Sequence, residues 1–362
     1  HRLIRRQRQM CIRDRNLTRR QWRQILVTVI LALAVLLFFL WPLPKYIEGP
    51  GEADNLKSFV TVAQHPDKHK GKYMITSVAL AQARPVSYLY AKFNPYYSIE
   101  SVASVTGGES NATYDKVQNF YMKSAINESI YTAYRAAHKT VKRHYLGIYV
   151  LSVDRQSPFA QALKVGDTVT EVNGHHFNSM TGYQRYIQRQ KVGQRTTITY
   201  QHNGKTHHVT AKLMRLPTKK AGIGITLTDN VKVSARPKVQ VNPGNIGGPS
   251  GGLMFSLQIY TQVTEQDLRH GRKIAGTGTV DGDGNVGEIG GIDKKIIAAK
   301  RAGATVFFAP YVKPTKLLLM YEEQHQTNYQ LAKATAKKYA PNMKVVPVKS
   351  FDDAVHYLRT HR

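Results

Sequence analysis

The feature that most constrains this chain is Ile25 to Trp41, which reads ILVTVILALAVLLFFLW without a single charge. Extended to Leu43, it is long enough to cross a bilayer as a helix, for which about 20 residues are typical. Nine arginines precede it: Arg2, Arg5, Arg6, Arg8, Arg13, Arg15, Arg19, Arg20 and Arg23. That excess of positive charge predicts an N-terminus on the cytoplasmic side and the bulk of the chain outside, as a single-pass cell-membrane protein. Trp22, Trp41 and Tyr46 suit the two membrane interfaces. The stretch Pro42-Leu43-Pro44-Lys45-Tyr46 has no small-x-small cleavage site, so an uncleaved anchor over 25–43 is expected, behind a basic tail of residues 1–24. The run from Gln9 through Met10 and Cys11 to Arg15 resembles translated sequencing-adapter sequence, and the first ~15 residues are set aside as a candidate artefact. Arg19, Arg20 and Arg23 alone would set the same orientation.

The chain has 362 residues, enough for two further domains beyond the span. Its one cysteine, Cys11, precedes the apolar run, so the remainder can form neither a disulfide nor a cysteine-based zinc site. Adjacent histidines at His175-His176 and His207-His208 point to opposite faces of an extended chain, and no metal or other cofactor is expected. The formal net charge is +29. Lysine and arginine are spread through every segment rather than focused on one motif. They are read as a soluble surface near anionic lipid or wall polymer, with no nucleic-acid partner expected.

Tyr46 to Asp54, with Pro50 between two glycines, reads as a linker off the membrane. Ser58–Ala63 and Lys72–Leu80 read as strands, and Gln118–Lys142 as a long amphipathic helix. A compact module follows. Gly147–Val153 is a strand, Ser157-Pro158 starts a short helix, Gly182–Gln190 is helical, and two strands pair across Asn203-Gly204, a strong hairpin signal. This order, and the run GIYVLSVDRQSPFAQALKVGDTVTEVNG in particular, resembles a bacterial PDZ domain over 144–215. The resemblance implies capture of an extended peptide as an added strand, with Tyr145, Leu146, Gly147 and Ile148 forming the groove.

The chemistry is carried by Ser250, in Gly247-Gly248-Pro249-Ser250-Gly251-Gly252, and Lys295, in Gly290-Gly291-Ile292-Asp293-Lys294-Lys295. A serine hydroxyl needs a base to become a nucleophile, and a lysine serves if desolvation lowers its pKa. Glycines let backbone N–H groups approach a reacting carbonyl, and a serine just before the apolar helix Gly251–Thr261 sits where the helix dipole favours negative charge. A strand from Lys273 to Val280 containing Thr277-Gly278, a turn at Asp281–Gly284 and a helix from Lys294 to Ala302 complete a layered α/β alternation. The pattern Gly-x-Ser-x-Gly also occurs in α/β-hydrolases, which need a downstream acid and histidine. Here His325 and His356 fall on polar helical stretches, and Pro249 suits a strained elbow poorly.

These motifs resemble the proteolytic domain of Lon-type proteases, whose nucleophile lies in Gly-Pro-Ser-Ala-Gly and whose base lies in Gly-Gly-x-x-x-Lys before Ala-Ala. The resemblance implies Ser250 as nucleophile, Lys295 rather than Lys294 as base, and Thr277 as a residue orienting the lysine. It also implies an oxyanion-binding turn of Gly247, Gly248, Pro249 and Gly251. Two departures stand out: Gly251 replaces the usual alanine, loosening the turn, and Gly247 replaces an acidic residue. No Gly-x4-Gly-Lys-Ser/Thr occurs, so no ATP-driven unfolding motor is expected.

Asn119–Ala137 resembles the early helix of the same proteolytic fold. The PDZ module is therefore expected as an insertion between 50–143 and 216–362. The whole arrangement resembles the membrane-anchored, PDZ-containing Lon-like proteases of Gram-positive bacteria. The expected fold class is α+β: one transmembrane helix, a PDZ module and a Lon-type α/β proteolytic domain. The expected function is ATP-independent serine endopeptidase action on peptides or unfolded protein segments, with the bilayer as the anchor's partner. The Lon resemblance also raises a homo-oligomeric ring, which the sequence itself does not fix. The rival reading is a non-catalytic PDZ adaptor at the cell surface.

Overall fold

The computed structural model describes residues 18–361. The arginines and the cysteine of the first 17 positions, and the adapter-like run, lie outside the described residues. The apolar segment forms a helix over Arg19–Leu40, and none of its residues is buried by the rest of the chain. Thr18 and Gln21 close its N-terminus as a reciprocal capping box. The helix stops at Leu40 rather than continuing to Leu43, because Pro42 and Pro44 cannot be accommodated in a continuing helix. It is the one helix among the described residues long and apolar enough to cross a membrane.

The expected linker after it is instead a strand, Lys45–Asn55. It pairs antiparallel with Lys72–Gln82, with a register shift between Pro50 and Ala53. The Gly-Pro-Gly sequence that looked like a breaker marks that irregularity. A Cβ on Gly49 would lie 2.3 Å from the Tyr97 ring, so the glycine serves a close approach rather than a turn.

This strand belongs to a six-stranded sheet. Its order is Lys344–Val348, Val306–Pro310, Lys273–Gly276, Lys72–Gln82, Lys45–Asn55 and Ser98–Ser101. The first four run parallel, and the last two are joined by antiparallel pairing. Residues from before and after the PDZ-like module therefore share one sheet. On one face packs the helix Gly252–Thr264, buried along every residue from Gly252 to Val263. On the other face pack the helices Ile292–Arg301 and Asn328–Tyr339. A helix sealed on all sides needs apolar residues all round. The serine helix has them in Leu253, Met254, Phe255, Leu257 and Ile259.

The long helix spans Asn111–Ala136, seven residues earlier at its start than its apolar spacing suggests. Ser110 caps it by accepting from Thr113 N. It ends at Ala136 because Val141 and Lys142 are taken into the strand Thr140–Val153, opposite Ala235 and Ser234.

The PDZ-like module is a five-stranded sheet in the order Ile225–Arg236, Thr140–Val153, Thr168–Val172, Arg195–His202 and Lys205–Lys212. Its own core includes Ile148, Val150, Phe159, Leu163, Tyr183 and Ile187. Asn203 and Gly204 take φ of 49° and 77°, the double left-handed geometry of the expected hairpin turn. The expected short helix at Ser157–Leu163 is a series of turns. Ser157 Oγ donates to Ile223 O and accepts from Phe159 N, and that competes with a regular helical start. The ribbon formed by Thr140–Val153 and Ile225–Arg236 reaches past the module onto the long helix. There Asn127 donates to Val231 O and accepts from Val233 N, and Arg143 pairs with Glu128 at 2.7 Å.

Candidate active site

The local chain direction brings the two motifs together. Ser250 lies one residue before Gly251, the N-cap of the serine helix. Its carbonyl accepts from Gly278 N at 2.9 Å and from Thr277 Oγ1 at 3.0 Å, which fixes the turn against the end of the strand Lys273–Gly276. Lys295 sits in the first turns of the helix Ile292–Arg301, whose start is set by Gly291 at φ 67°. A side chain at 291 would meet Val78 Cγ2 at 2.8 Å.

Lys295 crosses to the serine. Its Nζ lies 2.8 Å from Ser250 Oγ, 3.1 Å from Thr76 O and 3.3 Å from Thr277 Oγ1. Lys295 is 3% exposed and Thr277 is fully buried. Burial pushes the lysine pKa down to about 8, against the opposing pull of the Glu48 and Glu323 carboxylates. A neutral amine has two N–H donors and one lone pair. Thr76 O can only accept. Thr277 Oγ1 spends its proton on Ser250 O, so towards the lysine it too is an acceptor. The lone pair is left for the Ser250 hydroxyl.

The structure thus brings together Ser250, Lys295 and Thr277, and adds the Thr76 carbonyl. A main-chain oxygen leaves no mark in a sequence. It adds also an ion-paired neighbour: Lys294 is 6% exposed, with Nζ 3.5 Å from Glu48 and 3.3 Å from Asp293. Burial lowers its pKa, but Asp293, Glu48 and Glu323 outweigh that and raise it, so Lys294 stays charged. The pKa values of two adjacent lysines are therefore shifted in opposite directions, and of the two Lys295 is the one that loses its proton more readily.

The expected oxyanion turn needs correction. Gly248 N already donates to Gln118 O at 3.0 Å, and Pro249 has no N–H. Among the described residues the N–H groups of Ser250 and Gly251, at the mouth of the serine helix, have no protein acceptor. Gly247 is exposed at the rim. Gly251 has φ −87° and ψ −4°, open to any residue, so it does not loosen the turn. What it supplies is space, since a Cβ there would lie 2.4 Å from Ile75 Cδ1.

The groove residues also need correction. Tyr145, Leu146, Gly147 and Ile148 lie on an inner strand. Tyr145, Gly147 and Ile148 pair with Val231, Asn230 and Asp229 on one side, and Ile148 with Val169 on the other. Ile148 is thus laddered on both edges, and Tyr145 and Gly147 have one edge filled by Ile225–Arg236, so no peptide strand can be added on that side. The sheet's two outer strands are Lys205–Lys212 and Ile225–Arg236, and the second edge of Ile225–Arg236 carries no ladder among the described residues. The helix Met180–Gln188 lies alongside, Met180 N donating to Asp229 Oδ1 at 2.6 Å. Repetitive apolar strands do not reveal from sequence which one ends up at the edge.

Ser250 opens onto a cleft of about 1000 Å³, walled by the strands Lys45–Asn55 and Ser98–Ser101 and by the loop leading into the lysine helix. Among the described residues no group of three or more His, Cys, Asp or Glu side chains is arranged to hold a metal ion.

A membrane-length apolar helix, a PDZ-like sheet and a layered α/β body bearing this serine and lysine define the class of protein. Residues 136–213 match the PDZ domain family, and residues 207–326 match the Lon protease (S16) C-terminal proteolytic domain. The chain thus carries a PDZ domain and a serine-type, Lon-like proteolytic domain. It is 30% identical over 108 residues to the Lon protease of Trichlorobacter lovleyi, covering 30% of this chain and 11% of that relative's length. The PDZ domain of the SdrC-like protein of Listeria monocytogenes is 39% identical, over 23% of this chain and 90% of that one, with a TM-score of 0.23. The second domain of the Listeria protein Lin2157 is 40% identical, over 24% and 88%, with a TM-score of 0.23.

Proposed function

We propose that this chain is an ATP-independent, membrane-anchored serine endopeptidase that cleaves extracytoplasmic peptides or flexible protein segments, with Ser250 as nucleophile and Lys295 as general base. The observation that carries the reading is the 2.8 Å approach of a dehydrated lysine, its pKa lowered to about 8, to the Ser250 hydroxyl. Neutral Lys295 accepts the hydroxyl proton as Ser250 Oγ attacks the peptide carbonyl. The N–H groups of Ser250 and Gly251, aided by the helix dipole, hold the oxyanion. The ammonium, steadied by Thr76 O and Thr277 Oγ1, then gives its proton to the leaving amine. Water, deprotonated by the same lysine, cleaves the acyl ester and restores the serine. With a pKa of about 8, the base is roughly one-tenth neutral at pH 7, and the rate rises into the alkaline range.

The PDZ domain is read as the substrate-holding arm. The open edge of Ile225–Arg236 beside the helix Met180–Gln188 is the place for an added peptide strand. ATP independence is supported by the lack of any phosphate-cradling Gly-x4-Gly-Lys motif in this sequence.

The test is cleavage of unfolded casein and a peptide library by the full chain in detergent, without ATP, beside Ser250→Ala and Lys295→Ala. Cleavage abolished in both variants is the expected result. Cleavage that survives in Ser250→Ala overturns the assignment, and a folded wild type that binds peptides yet cuts none favours an adaptor.

A further inference from the structure

The cleft carries the opposite charge from the chain. Among the described residues Lys294 and Lys295 are the only lysines or arginines that line it, whereas it holds seven carboxylates. Lys295 is the dehydrated amine, and Lys294 is already paired with Glu48 and Asp293. On one wall stand Glu52, Asp54 and Glu100, and on the other Glu288 and Glu323. Among the described residues, Glu52, Asp54, Glu100 and Glu288 have no lysine, arginine or histidine within salt-bridge distance.

Tuning the lysine does not account for these groups. Glu48 and Glu323 are the carboxylates that bear on Lys295, and Glu52, Asp54, Glu100 and Glu288 are not among them. Two of them are disfavoured as charged groups where they stand. Burial and the neighbouring Glu52 raise the Asp54 pKa, and burial, with Glu322 nearby, raises that of Glu288 to about 7. One Glu288 oxygen accepts from Asn328 N at 2.7 Å, while the other, Oε1, is buried without a partner. Carboxylates held unpaired in a concave site focus a negative field on whatever enters it.

We infer that the cleft selects cationic peptide segments, in which lysines or arginines flanking the scissile bond pair with Glu52, Asp54 and Glu100 on one wall and Glu323 on the other. The inference rests on the protease reading for the bond that is cut; the binding preference stands on the cleft itself. Each partly exposed pair contributes modestly, so selectivity comes from several acting together. The preference runs against the chain's overall field, because a charge of +29 by itself favours anionic peptides.

The experiment uses the full chain as Ser250→Ala in non-ionic detergent. The probes are peptides with one neutral core, acetylated and amidated so that no terminal carboxylate engages the PDZ domain, and labelled with a neutral dye. Flanks of lysine, glutamate or serine are compared by fluorescence anisotropy at low and high salt. The lysine peptide is expected to bind about tenfold more tightly than the glutamate peptide, equivalent to about 1.4 kcal/mol. The gap should shrink as salt rises. Glu52→Lys with Glu100→Lys should close or invert it, and Glu52→Gln with Glu100→Gln, which keeps side-chain shape, should narrow it.

Equal or tighter binding of the glutamate peptide overturns the inference, as does a lysine preference untouched by both paired variants. Cleavage of the same peptides by wild type separates the two readings. Cleavage without charge preference in binding leaves the protease and removes this inference. Lysine-selective binding without any cleavage does the reverse.

Discussion

Replacing Glu48 by glutamine should make the enzyme more active at neutral pH. Burial depresses the Lys295 pKa to about 8, and the Glu48 carboxylate works against that depression. The glutamine amide would keep an acceptor for the Ser98 hydroxyl, now 3.2 Å from Glu48 Oε2, so the change is mainly one of charge. It also leaves the Lys294 ammonium, 3.5 Å from the same carboxylate, less compensated, and a positive neighbour further disfavours a protonated Lys295. Glu48 is partly exposed, with 23% of its side chain accessible, so its Coulomb contribution is screened to roughly 0.2–1 kcal/mol. At 1.36 kcal/mol per unit, the Lys295 pKa falls by about half a unit. Because the base acts when neutral, a lower pKa enlarges the active fraction below the midpoint and leaves the alkaline plateau unchanged. At pH 7 the neutral fraction, and with it kcat/KM, rises about threefold. The assay is the pH profile of kcat/KM on an uncharged quenched peptide, from pH 6 to 10. A rising limb that stays in place or moves to higher pH in Glu48→Gln would refute the assignment of that limb to Lys295.

Thr277→Val removes both the acceptor for Lys295 Nζ and a donor to Ser250 O. Gly278 N still satisfies that carbonyl, so melting should fall only by about 1–2 kcal/mol in stability, while kcat drops about tenfold even at high pH and returns with Thr277→Ser. Gly251→Ala would press a methyl against Ile75 Cδ1, so a loss of about 1–3 kcal/mol is expected in denaturant titration, with catalysis retained once Ile75 shifts. Asp67 and the fully buried Arg269 form a two-pronged pair, one prong at 2.7 Å, that ties the loop after Val62 to the residues following the serine helix. Asp67→Asn leaves that guanidinium underpaired and should cost about 3–5 kcal/mol in thermal unfolding. An unchanged melting curve would show that the buried arginine finds another partner.

Much of this molecule is legible along the chain. The hairpin at Asn203-Gly204 follows from two residues that tolerate left-handed geometry, and the membrane-length helix follows from 17 uncharged residues. Ser250 and Lys295 stand out because a glycine-rich turn and a helix start are each local patterns. Misreadings arise where a local rule meets a distant partner. Pro50 and its glycines look like a break until the strand Lys72–Gln82 and the Tyr97 ring are beside them. Gly248 looks like an oxyanion donor until Gln118 O, 130 positions earlier, takes its N–H. Tyr145 to Ile148 look like a peptide edge until Ile225–Arg236 covers them.

By itself the sequence determined the kinds of groups present and their local conformation: which stretch is uncharged, which turn exposes a serine, and which helix begins with a lysine. These depend on side-chain chemistry and on residues a few positions apart. Only the tertiary structure decided that Lys295 is dry, that Thr76 and Thr277 leave its lone pair for Ser250, that Lys294 is held charged beside Glu48, and that acidic residues from four separate segments surround one cleft. Solvation and electrostatics depend on what surrounds a group in space, and here the surroundings come from chain segments 18 to more than 200 residues away.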